Sequence, residues 1–260
     1  MLFSWLKTRR RRKLLSEPFP PDWLPLLRDI EHYRRLNENE QTALRERVRL
    51  FVAEKEFEGC KGMAITDEMR VTIAALASIL VLGLPNCHFD NVQTILVYPK
   101  QYRVPKKLPV GGNMFGEPIE LNIEAENLGE AHYRGPVHLS WAEVERDARQ
   151  SGEGFNLVFH EFAHQLDMLN GAADGVPPLP RALRGRWQEV MAREYRALCR
   201  AADRGRETLI DPYGAEEPAE FFAVVTECFF DLPMPLRAEH EQLYDLMREY
   251  YGQDPASRFE

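Results

Sequence analysis

Among all segments of this chain, Leu157-Val-Phe-His-Glu-Phe-Ala-His-Gln-Leu-Asp167 leaves the fold the least freedom. Leu157, Val158, Phe162, Ala163, Leu166 and Leu169 recur at helical spacing, Gly152 and Gly154 precede them, and Asn170-Gly171 supplies a stop. The spacing predicts a helix over 155–169. On it His160 and His164 stand one turn apart on one face, where both imidazoles can reach a single zinc ion. Glu161 lies near the same ion but points differently, the placement of a base for a metal-bound water. The competing reading is a surface helix with two accidental histidines. The apolar flanks Phe159, Phe162 and Ala163 weigh against it, because a buried His-Glu-His set is costly without a metal.

A catalytic zinc needs a third protein ligand. The pattern HExxHxxGxxH is absent, since Asp167 and Asn170 occupy the later glycine and histidine positions. His32, His88, His132, His138 and His240 are isolated and are expected to be structural or exposed. A carboxylate from a second helix is the natural alternative, and the segment Tyr213 to Glu227 offers one. Pro218 suits a first helical turn. Glu220 then sits among Phe221, Phe222, Val224 and Val225 and needs a partner. Glu216 and Glu217 fall at the helix start, where solvent and the dipole satisfy them. Glu227, two turns after Glu220, is either the acceptor behind a ligand histidine or part of a buried polar network. Asp167 lies one turn beyond His164; three ligands over two turns of one helix cannot converge, so it reads as a partner of an imidazole rather than a ligand.

The rest of the chain sets the frame. Its 260 residues suffice for a sizeable core, and a net charge of -8 argues against direct nucleic-acid binding. Cys60, Cys87, Cys199 and Cys228 form no CxxC pair, so a reducing cytoplasm is expected and a closed structural zinc knuckle is not. Residues 1–21 read as a basic, flexible tail without the apolar core of a secretory signal, with order beginning near Asp22 after a run of prolines. A membrane-surface or partner-docking arm anchored by Phe3 and Trp5 is the minor reading. The apolar run Val71 to Leu84 is shorter than the roughly 20 residues a bilayer requires, so no stable membrane insertion is expected. It reads as a buried helix, capped at Thr66 and Asp67 and stopped by Gly83 and Pro85.

Asn37 and Glu40 form a capping-box pattern for a helix running to about Phe57. Strands are expected at 94–98, 119–123 and 136–141, with glycines 111, 112, 116, 129 and 135 as turns. Further helices are expected at 142–150, 181–203, 217–231 and 238–251. The chain thus divides into a helical layer over 22–85, a small sheet over 91–141 and catalytic helices over 142–251. This order predicts an α+β fold in one domain spanning 22–260.

Three segments carry a resemblance: Gly135-Pro-Val-His-Leu-Ser-Trp141, Phe159 to Asp167, and Ala219-Glu-Phe-Phe-Ala-Val224. Together they resemble the Mlc titration factor A family, bacterial glucose-regulated zinc metallopeptidases, over nearly the whole chain from about Pro18. That family is similar to the catalytic domain of anthrax lethal factor, in which a Tyr-Gly pair precedes a helix whose first glutamate is the third zinc ligand. The correspondence falls on Tyr213 and Glu220. Where lethal factor has a glutamate four residues after its ligand, this chain has Val224, so support for the ligands must come from elsewhere, Asp167 or Glu227. The resemblance implies a mainly helical zincin-like domain with one zinc ion, aminopeptidase-like action on small peptides, and capture of an Mlc-type glucose repressor. In that scheme His160, His164 and Glu220 bind zinc, Glu161 is the general base, and Tyr213 donates to the oxyanion, although a loop tyrosine used only for packing remains an alternative. A repressor-binding module of minor catalytic importance is the rival function.

Overall fold

Four helices open the chain: α1 (Leu2–Ser16), α2 (Trp23–Asp29), α3 (Glu31–Arg34) and α4 (Glu38–Glu54). Strand β1 (Glu56–Gly59), helix α5 (Asp67–Leu80) and strand β2 (Thr94–Tyr98) follow, then the short strands β3 (Pro109–Val110) and β4 (Ile119–Glu120). Strand β5 (Val137–Ser140) leads into α6 (Trp141–Arg149), α7 (Leu157–Asp167), α8 (Arg184–Ala202), α9 (Pro218–Asp231), α10 (Pro233–Glu239) and α11 (Glu241–Tyr251). The computed structural model describes residues 2–85, 87–100, 109–110, 119–120 and 135–259. The expected strand at 119–123 is described only at 119–120, where Ile119 pairs with Val110; its remainder, His132 and the glycines at 111, 112, 116 and 129 lie outside the described residues.

The α+β class and the small sheet hold. Strands β1, β2 and β5 pair in that order, all parallel, with Phe57 opposite Ile95 and Ile95 opposite Val137. Helix α5 is apolar on every side and is enclosed almost completely, as such a helix must be; Thr66 accepts the hydrogen bond of the Met69 amide at its start. Asn37 and Glu40 form the reciprocal capping box at the head of α4. No helix among the described residues is long and apolar enough to cross a membrane.

Three expectations need correction. The basic segment is not a loose tail here: 2–16 is helical and lies against α4, because Glu54 and Asp90 give Lys7 and Arg11 partners while Arg49 donates to the carbonyls of Leu14 and Glu17. The helix begun at Glu38 stops at Glu54 rather than Phe57; Lys55 turns inward to donate to the Phe89 and Val92 carbonyls, and the next four residues join the sheet as β1. The stretch expected as one helix over 238–251 belongs to two, α10 and α11, which meet at His240 in a non-helical conformation.

The HExxH helix α7 packs against α5 and α9. Its buried Phe162 meets Phe89 and Phe51 at ring separations of 4.8 and 5.7 Å, and Phe159 meets Phe230 at 5.4 Å. Aromatic contacts on the side away from the histidines hold the helix in place.

Candidate metal centre

Four carboxylates from three elements, α3, α6 and α9, anchor the start of α7. Gly152 and Gly154 donate backbone N–H bonds of 2.8 and 2.7 Å to Asp231, Ser151 donates to Glu31 at 3.0 Å, Asn156 to Glu227 at 2.7 Å and Leu157 to Asp147 at 2.9 Å. The Asn156 side chain accepts from the Phe159 amide and completes the cap. Negative charge at a helix start also complements its dipole. Asp147, Asp231 and Glu31 carry no recognisable sequence signal for this role.

Downstream of this cradle, the Nε2 atoms of His160 and His164 lie 3.2 Å apart. Glu220 from α9 brings Oε2 within 3.0 Å of His160 Nε2 and Oε1 within 3.4 Å of His164 Nε2. Among the described residues, these three side chains form the group whose ligand atoms lie close enough together to share an ion. Four ligands around zinc at roughly 2.0–2.1 Å would stand about 3.3 Å apart, so the observed separations suit such an ion. His160 Nδ1 donates to Glu227 Oε1 at 2.7 Å, which leaves Nε2 with a lone pair facing the group. Glu220 Oε2 is buried and, although close to Nε2, lacks the alignment of a hydrogen bond. An orphaned carboxylate oxygen and inward lone pairs fit a cation at their centre.

Electrostatics agree. Burial alone would lower the His160 pKa, but the neighbouring carboxylates of Glu220 and Glu227 raise it to about 10. Burial would raise that of Glu220, yet both histidines bring it down to about 2. A cation bound between the three side chains would compete with a proton for the same place.

Glu161 stands beside the three without joining them, near enough for its charge to help raise the pKa of both His160 and Tyr213. Tyr213 lies on a short turn, Pro212–Ala215, capped by Asp211, which accepts from the Tyr213 amide at 2.7 Å. Its ring is 6.0 Å from that of His160, and the side chain is half-exposed. Burial, then the charges of Glu220, Glu216 and Glu161, push its pKa up, so the phenol keeps its proton and remains a donor.

The two candidates for support of the histidines separate cleanly. Glu227 serves His160, while Asp167 accepts from the Gly175 amide at 2.7 Å and holds that loop. Burial lifts the Asp167 pKa to about 6. The other described histidines do not join the group: His32 lies 3.2 Å from Asp231, His240 pairs with Glu194 at 2.9 Å, His138 stacks on Tyr98, and His88 feels the charges of Arg11, Arg47 and Asp90.

The chain is similar to known proteins. The family model described as glucose-regulated metallo-peptidase M90 matches residues 5–252. The chain belongs to that family. Its members are metallopeptidases, which implies a metal ion for this site as well. The chain is 40% identical over 254 residues to an uncharacterized protein of Synechocystis sp., covering 96% of this chain and 90% of the relative. It is 33% identical over 228 residues to Mlc titration factor A of Edwardsiella ictaluri, covering 86% and 84%, and 32% identical over 229 residues to Mlc titration factor A of Serratia proteamaculans, also covering 86% and 84%.

Proposed function

We propose that the chain hydrolyses peptides with one zinc ion held by His160, His164 and Glu220. The convergence of three ligand atoms from two helices, with a buried carboxylate oxygen left unpaired, carries this reading. When bound, zinc supplies Lewis acidity toward the scissile carbonyl and makes water acidic enough to react near neutral pH. Glu161 takes the proton of the attacking water and passes it to the leaving amine. Tyr213 donates its phenolic proton in a hydrogen bond to the developing oxyanion. Glu227 holds His160 in the tautomer that offers Nε2 to the centre.

The substrate lies extended along β5. That strand packs near α7 and, among the described residues, pairs only on its β2 side, leaving an edge to which a peptide can add. Aminopeptidase-like trimming of short peptides in the cytoplasm is the narrower form of the activity. Relatives bearing the name Mlc titration factor A support a second task, capture of an Mlc-type repressor and with it control of phosphotransferase genes. In the rival reading that capture is the main function and the zinc site is of minor catalytic importance.

A peptide-library cleavage profile with metal analysis tests both. Glu161→Gln is expected to keep its zinc and lose turnover by at least about 10²-fold. Glu220→Ala and His160→Ala are expected to lose zinc together. Undiminished cleavage by metal-verified Glu161→Gln would remove the general-base role. Repressor binding that survives in Glu161→Gln would separate capture from catalysis.

A further inference from the structure

One face of α1 takes no part in the centre. Arg11 donates two 2.7 Å bonds to Glu54, Lys7 donates at 2.7 Å to Asp90, and the Leu14 carbonyl accepts from Arg49. These contacts define the inner face and set the rotation of the helix about its axis. Trp5, Leu6, Arg9, Arg12 and Lys13 then share about a third of the circumference on the opposite side. All five are exposed, Trp5 at 60% and Leu6 at 48%, and the Arg9 guanidinium lies 5.6 Å from the Trp5 ring centre. Arg10 is exposed at the edge of this arc.

Charge is segregated as sharply as exposure. The chain carries -8 overall and its first sixteen residues carry +6, so the remainder carries -14. The acidic body is repelled by an anionic surface, which confines any such contact to α1.

We propose that this face binds an anionic lipid surface peripherally. Trp5 and Leu6 enter the headgroup boundary, while Arg9, Arg12 and Lys13 meet the lipid charges; Arg10 instead donates to the Ala53 carbonyl at 3.4 Å. Two neighbouring apolar side chains at one end of the basic arc favour lipid over a phosphate backbone, to which they would add little. With fifteen residues, α1 lies on the bilayer rather than across it.

The full chain is sedimented with vesicles of phosphatidylcholine alone and with an equimolar mixture of phosphatidylcholine and phosphatidylglycerol, at low and high salt. Binding is expected only to the mixture, and salt should weaken it. Each outward cation contributes about fivefold, so Arg9→Ser with Arg12→Ser should reduce partitioning about 25-fold. Trp5→Ser with Leu6→Ser should reduce it at least about tenfold. All four side chains are exposed, so the fold is expected to survive, and circular dichroism checks this. Equal binding to both vesicles, binding to neither, or double variants that partition like wild type overturns the proposal. A DNA duplex of arbitrary sequence that strips the protein from the vesicles would overturn it too, by assigning the patch to nucleic acid.

Discussion

Glu227 Oε1 accepts from His160 Nδ1 at 2.7 Å while its Oε2 accepts from the Asn156 amide at the same distance. One carboxylate therefore sets both the tautomer of His160, a ligand in the proposed zinc site, and the start of the helix that carries it. Glu227→Ala is expected to weaken zinc binding about 10–100-fold. It should also cost about 1–3 kcal/mol of stability, because the buried Asn156 amide loses its acceptor. Chelator competition and denaturant unfolding read the two effects; unchanged zinc affinity would mean that something else orients His160.

Tyr213→Phe keeps the ring beside His160 and removes only the phenolic donor. If the hydroxyl stabilises the oxyanion, kcat should fall about 10²–10³-fold with little change in KM. A packing role alone would leave kcat close to wild type.

Gly175 has φ +75°, and a Cβ there would come within 2.3 Å of the Pro218 carbonyl oxygen at the start of the helix bearing Glu220. Asp167 accepts from its N–H, and Trp187 donates to its carbonyl at 3.2 Å, so the loop cannot easily shift. Gly175→Ala should cost more than about 1 kcal/mol, lowering Tm by at least about 2 °C in calorimetry. An unchanged Tm would show that the loop yields.

Burial lowers the Lys55 pKa from 10.5 to about 8, despite the opposing charges of Asp90 and Glu54. Between those two values the unfolded chain binds more protons than the folded one, so this residue's contribution to stability rises with pH and is least favourable below about 8. Relative to Lys55→Met, wild type should gain on the order of 2–3 kcal/mol across that window. Urea unfolding at both ends of it measures the difference; a constant gap between the two proteins would contradict it.

What a few neighbouring residues decide was legible in the chain. The four-residue spacing of His160 and His164, the capping pairs at Asn37 and Thr66, and the apolar run after Asp67 all act within one or two turns of helix, where geometry follows from spacing alone. Glu220 could be nominated because a carboxylate among phenylalanines needs a partner. Its pairing with His160 and His164 was implied by the family resemblance rather than by spacing, since α7 and α9 meet through aromatic packing between residues far apart in sequence. The choice of Glu227 over Asp167 behind the histidines, the carboxylate cradle of Glu31, Asp147 and Asp231, and the docking of α1 through Glu54 and Asp90 depend on the same long-range packing. The sequence by itself determined that two imidazoles and a glutamate share one helix; only the tertiary structure decided what surrounds them, because Glu220, Glu227 and the carboxylates that hold the helix start arrive from other elements.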